Sequence, residues 1–301
     1  MICYLINLER TPERLAHFMA QVEGHNLEVA RVEAVDGLAL SAAEIRQWQE
    51  RSTVWSPLSS AEIGCFLSHR EAWSMVVERG EPWAFIAEDD IHLSDDFGDF
   101  LNNADWLPAD AALVKAETSF ARIEMSMKGC RKARMHRMCR LASDHTGSGG
   151  YFVSRTGAEV LLRLADTVCE PVDRFLFSPD LPAAQALRPY QLDPALCTQD
   201  CYLTAQGLGL GLKGNIPWGG GPATATREPK RTGTAKLRHE VLRPLLQLAA
   251  LRRRLCRGAF RKSITKAVRI RIGGKLLSGK RRSTGLMARC RSLIMITNTA
   301  V

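Results

Sequence analysis

The chain has 301 residues, 46% hydrophobic and 24% charged, an ordinary globular composition with enough length for one large or two small domains. Its formal net charge of +9 is unevenly placed: 21 Lys and Arg but only two acids, Glu228 and Glu240, lie between Arg227 and Arg291, so an acidic body precedes a basic tail. No apolar run approaches the roughly 20 residues of a membrane span, and nine scattered cysteines without a CxxC pair exclude a disulfide framework and a structural zinc site, reading instead as free thiols in a reducing compartment.

The opening "MICYLINLER" reads as a strand and lacks the basic start, long apolar core and cleavage site of an export signal. "TPERLAHFMAQVEG" predicts a helix, with Thr11 as N-cap, Pro12 in the first turn and Gly24 at the stop. "EVARVEAV" resembles a second strand and "DGLAL" a turn. "SSAEIGCFLSHREAWSMVVERGEPW" predicts a long helix, because Ile63, Phe66, Leu67, Trp73, Val76 and Val77 recur at helical spacing; Ser59 or Ser60 caps it and "GEP" ends it. "WAFIAEDDIHL" is a buried strand running into acids, "AALVKAET" a further strand, and "GGYFVSRTGAEVLLRLA" a strand, turn and helix. "EMSMKGCRKARMHRMCR" is basic and Met-rich and fits an acceptor loop or a mobile surface loop. "PVDRFLF" and "YQLDPALCTQD" fall on loops and short elements. Strands alternating with helices imply an α/β fold with a mostly parallel sheet, whose ligands bind at the C-terminal strand ends.

The stretch "FIAEDDIHL" ends a buried strand on Glu88, Asp89 and Asp90. Two like charges about 4 Å apart cost about 4 kcal/mol at an effective dielectric near 20, so the acids call for a cation. Hard divalent ions, Mn²⁺ or Mg²⁺, take carboxylate and phosphate oxygens together. Strand alternation puts Glu88 and Asp90 on one face and Asp89 on the other, which suits one metal held against a diphosphate. The competing reading is a solvated turn of acids.

Seven segments, "YLINLERTPER", "RVEAVDG", "SSAEIGCFLSHREAW", "WAFIAEDDIHLSDDF", "LVKAET", "GSGGYFVSRTGAEVLL" and "PVDRFLF", occur in the order and spacing that resemble glycosyltransferase family 25, the bacterial lipopolysaccharide and lipooligosaccharide transferases. The resemblance spans roughly two thirds of the chain. It implies a GT-A-like, Rossmann-type sheet and transfer of a hexose, commonly galactose, from a UDP-sugar donor to a saccharide acceptor, lipid-linked or free. Its usual β-linked products from α-linked donors imply inversion. On this reading Glu88 and Asp90 carry the metal, and Asp89 meets the donor sugar or ribose. Asn7, Arg10 and Arg14 border the nucleotide, where arginine forks pair with phosphate. Ser68 and His69 lie in a helix beside the donor, His69 being equally suited to a structural role. Lys115 pairs with phosphate or with the acids, and Glu117 lies on its face. The general base is assigned to Asp173, which could instead cap a helix, with Glu117 and Asp200 as rivals. The sequence departs from the family at Gly149 and Gly150, where a larger residue, frequently His, often precedes the Tyr.

The body is expected over 1–206, a Gly/Pro/Thr-rich linker over 207–233 and a basic, partly helical C-terminal segment over 234–301. In the last, Leu237, Val241, Leu245, Leu248, Leu251 and Leu255 recur among arginines as an amphipathic helix interrupted by Pro244. Such a tail fits an anionic membrane surface better than nucleic acid, since it nearly lacks aromatics for base stacking. The expected place is therefore the cytoplasmic face of the inner membrane, held peripherally. The competing function is a nucleic-acid or polyanion binder acting through the tail, with an inactive transferase-like body.

Overall fold

The computed structural model describes residues 1–53, 57–212 and 263–278. The fold grows from β1 (Ile2–Asn7), buried along its whole length, which takes β2 (Val29–Glu33) and β3 (Trp83–Glu88) as parallel neighbours. Between them run α1 (Pro12–Val22), α2 (Ala42–Gln49) and α3 (Ser60–Arg79). Ser59 and Glu62 close a capping box at the start of α3, and Gly80 ends it in the left-handed region that glycine adopts without a Cβ clash. Thr11 precedes α1 as expected, but its hydroxyl makes no cap bond and donates to Leu8 O instead.

The chain continues through β4 (Ile91–Leu93), α4 (Phe97–Asn102), β5 (Leu113–Lys115), β6 (Arg122–Ala133), β7 (His136–Leu141) and β8 (Gly150–Ser154). Then come α5 (Arg155–Ala165), α6 (Val172–Phe177), α7 (Pro182–Leu187), β9 (Tyr190–Asp193), β10 (Cys197–Gln199) and α8 (Asp200–Thr204). After a gap in the described chain follow β11 (Ser263–Ala267), β12 (Ile270–Ile272) and β13 (Lys275–Leu277). Nine strands form the main sheet in the order β11-β6-β7-β9-β5-β8-β3-β1-β2. Pairings are parallel at β2-β1-β3 and at β5-β9, and antiparallel at the other neighbours. The α/β architecture is the one the alternating pattern implies, with the parallel pairings concentrated at β2-β1-β3 and five of the eight neighbour pairings antiparallel.

Strand alternation divides two apolar layers. Tyr4, Ile86, Tyr151 and Val153 face one way and pack with Phe66 and Trp73 of α3, Leu161 of α5 and Phe175 of α6. Cys3, Leu5, Phe85 and Phe152 face the other way, against Phe18 of α1 and Phe97 and Phe100 of α4.

Two expectations are corrected. The basic, Met-rich stretch is a hairpin of the main sheet, β6 and β7, rather than a loop; Ile123, Met125, Ala133, Met138 and Cys139 are buried and hold it there. Cys130 and Cys139 form a disulfide across that hairpin, so the cysteines are not all free thiols. The expected linker beyond Leu212 and the amphipathic helix lie outside the described residues. Farther on, β11 extends the sheet beside β6, and Val268 and Ile270 are buried with Phe120 and Tyr202. No helix among the described residues is long and apolar enough to cross a membrane.

Candidate active site

β5 pairs antiparallel with β8, which pairs antiparallel with β3, so β1, β3 and β5 all point the same way. Their C-terminal ends bring Asn7, the acids 88–90 and Lys115 to one rim of the sheet, the usual ligand side of such a fold. β3 stops at Glu88, and residues 89–90 form a turn into β4. The simple alternation that pairs Glu88 with Asp90 therefore does not extend through the tripeptide, and each acid meets different partners.

Arg14 is the protein's own cation for two of them. It reaches from α1, itself buried, and its Nη2 lies 2.5 Å from Asp89 Oδ1 and 2.9 Å from Asp90 Oδ2. Asn7 Nδ2 donates to Asp89 Oδ2 at 2.7 Å, and Thr11 Oγ1, whose proton goes to the shorter bond with Leu8 O, lies 3.3 Å from the same oxygen. Asp89 is thus fully engaged by protein. Asp90 is not: its Oδ1 is buried with no partner among the described residues. Burial, only partly opposed by Arg14 and reinforced by the charges of Glu88, Asp89 and Glu117, pushes its pKa to about 7.

Glu88 sits at the end of a buried relay. Trp73 Nε1 donates to Tyr151 OH at 2.8 Å, which leaves the phenol proton for His69 Nδ1 at 2.9 Å. His69 Nε2 then donates to Glu88 Oε1 at 3.2 Å, with Ser148 Oγ donating to the same oxygen at 2.6 Å and Gln199 Nε2 to Oε2 at 2.9 Å. Burial raises the Glu88 carboxyl, but the His69 bond, then Ser148 and Arg14, outweigh it and hold its pKa below the ordinary value. Burial keeps the Tyr151 phenol protonated.

Behind this rim lies a second acid. Lys115 Nζ is 3.1 Å from Glu117 Oε2, donates to Gly147 O and rests 4.2 Å over the Phe177 ring; both charged side chains are fully buried. Burial, partly offset by Lys115, takes the Glu117 carboxyl to about 7. Gly149 N donates to Glu117 Oε2 at 3.0 Å, and Gly147 N to Asp173 Oδ2 at 3.1 Å. The segment 147–150 is so tightly enclosed that a Cβ at Gly149 would lie 2.8 Å from Ile91 Cγ2, and one at Gly150 2.2 Å from Cys197 Sγ. Ile91, Cys197 and Gln199 thus leave no room for a larger side chain at either glycine.

The structure therefore gathers Asn7, Arg14, His69, Glu88, Asp89 and Asp90 into one network, and Lys115, Glu117 and Asp173 into an adjoining one. It leaves two predicted donor contacts elsewhere. Arg10 is exposed and paired with Asp36. Ser68 is buried, its hydroxyl donating to Gly64 O at 2.7 Å and accepting from Val35 N at 2.9 Å. The rival Asp200 accepts from His92, Thr204, Leu210 N and Leu212 N and is occupied in holding the chain after α8. Sequence reasoning missed Ser148, Gln199, Thr11 and Tyr151; Tyr151 alone had a signal, as the buried aromatic opening the "YFVS" strand.

Glu88 and Asp90 offer the donor chemistry of a divalent-cation site, although no group of three converging ligands among the described residues includes Asp90. Asp90 offers an unpartnered carboxylate oxygen, and Glu88 Oε2 has one protein partner and a second lone pair. Both are hard oxygens of the kind Mn²⁺ and Mg²⁺ take. Cys65, His69 and Glu88 also present ligand atoms within 4.8 Å of one another. Burial, with Glu88 and Asp173 nearby, holds the Cys65 thiol protonated well above its usual pKa, which disfavours that softer trio.

Residues 1–176 match the model of glycosyltransferase family 25, described as LPS biosynthesis protein. The chain belongs to this family. It is 29% identical over 222 residues to the lacto-N-neotetraose biosynthesis glycosyltransferase LgtB of Neisseria meningitidis serogroup B, covering 66% of this chain and 75% of that protein. It is 30% identical over 187 residues to procollagen galactosyltransferase 2 of Mus musculus, 58% of this chain but 29% of that much longer protein. A solved glycosyltransferase involved in glycosylation of the major capsid of PBCV-1 aligns with TM-score 0.36 at 12% identity, over 66% of this chain and 94% of its own. The acid-bearing rim, all within the matched residues except Gln199, belongs to a glycosyltransferase.

Proposed function

We propose that this transferase moves a hexose, galactose foremost, from a UDP-sugar to a lipopolysaccharide or lipooligosaccharide acceptor, with inversion, using Mn²⁺ or Mg²⁺ at Glu88 and Asp90. The observation that carries this is the buried, unpartnered Oδ1 of Asp90 in a turn already crowded with three carboxylates. When bound, a divalent cation supplies positive charge against the diphosphate that leaves with UDP. Arg14 holds Asp89 and Asp90 in place, and the Trp73–Tyr151–His69 relay fixes Glu88. Names of relatives in saccharide biosynthesis and galactosyl transfer favour a hexose donor.

Asp173 is the favoured base. Its side chain is half-buried rather than sealed, and Gly147 N and Arg174 N orient it. It takes the proton of the acceptor hydroxyl as that oxygen bonds to the donor's C1 and the C1–O bond to UDP breaks. Glu117 is fully buried behind Lys115 and is a structural partner on this reading. The reading also places the protein peripherally at the cytoplasmic face of the inner membrane, where a lipid-linked acceptor sits.

The test is donor turnover with UDP-galactose, UDP-glucose and UDP-N-acetylglucosamine, with and without Mn²⁺. Manganese-dependent use of one donor, lost in Asp90→Asn and reduced without loss of UDP binding in Asp173→Asn, is the expected result. Metal-independent turnover of equal rate in wild type and Asp90→Asn would overturn the metal assignment.

A further inference from the structure

The hairpin β6–β7 carries seven Lys and Arg and one acid, Glu124, between Arg122 and Leu141. Arg131, Lys132, Arg134 and Arg137 are exposed and have no ion pair among the described residues. With Arg269 they line a cleft of about 420 Å³ at the hairpin's turn. Lys132 and Arg137 are direct cross-strand partners, a like-charge pairing that destabilises a sheet. The acid next to them, Asp193, is the other cross-strand neighbour of Arg137 and lines the same cleft; Lys266 from β11 pairs with its Oδ2, and its Oδ1 is buried without a partner among the described residues. His136 is likewise engaged, between Pro194 O and Asp96. At the tip, Met135 projects 89% exposed among these cations.

Topology decides where this face points. β9 runs parallel to β5, and β7 antiparallel to β9, so the start of β7 and the hairpin turn lie at the C-terminal rim of β3 and β5. Four strand spacings separate β7 from β3 in the sheet order, roughly 20 Å. The acids and the basic turn are therefore on one rim of the molecule, side by side.

We propose that the β6–β7 turn, with Arg131, Lys132, Arg134, Arg137 and Arg269 around the exposed Met135, docks the protein on an anionic phospholipid surface, phosphates in the cleft and Met135 at the interface. Four exposed cations without an ion pair among the described residues, outnumbering the nearby Asp110 and Asp193, surround one apolar tip and suit a phosphate-bearing interface, where lipid phosphates relieve the Lys132–Arg137 repulsion. The shared rim would turn the transfer site toward acceptors held in that surface. This purpose rests on the transferase reading; the docking itself does not, because vesicle binding is scored apart from donor turnover.

The experiment uses the full chain and sedimentation with vesicles of phosphatidylglycerol and phosphatidylcholine, against phosphatidylcholine alone, at low and high salt. The variant is R131S/K132S/R137S, whose thermal melt should match or exceed wild type because a like-charge pair is removed. Wild type should bind only the anionic vesicles, and less at high salt. The triple variant should lose about a hundredfold in partitioning, about fivefold per charge removed, while UDP-sugar hydrolysis is unchanged. Equal vesicle partitioning of wild type and variant would overturn the proposal. So would a variant that keeps vesicle binding but loses binding to a single-stranded RNA probe, which would make the turn a nucleic-acid site. A wild type that binds inorganic polyphosphate but no vesicle would also overturn it.

Discussion

At β1 and β3, three consecutive acids are enclosed by the protein that carries them: Arg14 spans Asp89 and Asp90, Asn7 donates to Asp89, and His69, Ser148 and Gln199 donate to Glu88. At β6 and β7 the opposite charge accumulates on the surface, and Lys132 faces Arg137 with no acid between them. The acid triplet is nearly self-sufficient, with Oδ1 of Asp90 left over; behind it Glu117 Oε1 is likewise without a partner among the described residues. The basic turn is far less so, its exposed cations outnumbering the acids near them, Asp96, Asp110 and Asp193. Buried like charges must be neutralised within the fold, because water cannot screen them; exposed ones can wait for solvent, salt or a partner. The leftover at the buried site is thus the more specific signal, and the excess at the exposed site indicates only a class of partner.

The comparison can be broken most severely at Asp90. Asp90→Asn keeps the shape and removes the charge, and should lower donor turnover by about a thousandfold, the scale of losing one strong electrostatic contact in a transition state. Next is Arg14→Met. Leaving Asp89 and Asp90 buried without their cation should cost about 3–5 kcal/mol in a denaturant titration; a loss below 1 kcal/mol would mean the acids are better solvated than their burial implies. Tyr151→Phe removes the acceptor for Trp73 Nε1 and the donor to His69 Nδ1. It should cost about 1–3 kcal/mol and weaken Mn²⁺ binding through Glu88, which a titration of bound metal would show.

A smaller effect separates the two regions by pH. Asp90 and Glu117 keep their protons to about pH 7 in the fold, against about 4 in the unfolded chain. Folded protein then binds more protons, so their contribution is fully present below about pH 4 and is lost as pH rises toward 7. The half-buried imidazole of His17 and the buried one of His145, held below their ordinary pKa chiefly by burial, act in the opposite sense over that window, so the readout is a difference: metal-free Asp90→Asn should gain thermal stability relative to wild type as pH rises from about 4 to 7, and Mn²⁺ should raise the wild type near pH 7. Neutralising Lys132 and Arg137 of the hairpin should leave the Asp90-dependent part of the pH profile unchanged. The smallest effect expected is Ser59→Ala, which removes the cap of α3 and should cost about 1 kcal/mol.

Local rules made the long helix α3 legible, because its apolar spacing, capping box and terminal glycine all agree. The apolar lead-in of β3 was legible for the same reason. The partners of the acids were not. Arg14 lies 75 residues before Asp89 and reads from sequence as a nucleotide contact; only the packing of α1 over the strand ends makes it the acids' counter-ion. Ser148 and Gln199 come from two further elements and carry no local pattern. Alternation placed Glu88 and Asp90 together because it assumed a strand through residue 90, whereas the strand ends at Glu88. The hairpin escaped because its cations obscure the alternation; its buried positions, Met125, Ala133 and Met138, are set by neighbours in the sheet rather than by a clean period of two.

The central claim is that Asp90's free oxygen marks a metal site for a nucleotide diphosphate. Mn²⁺ binding, followed by the loss of the free ion's electron paramagnetic resonance signal, tests it most directly in wild type and Asp90→Asn, with and without UDP. The account predicts one Mn²⁺ per chain, tighter in the presence of UDP and lost in Asp90→Asn, with both proteins folded by circular dichroism. Manganese binding of equal strength in the two proteins, indifferent to UDP, would contradict it.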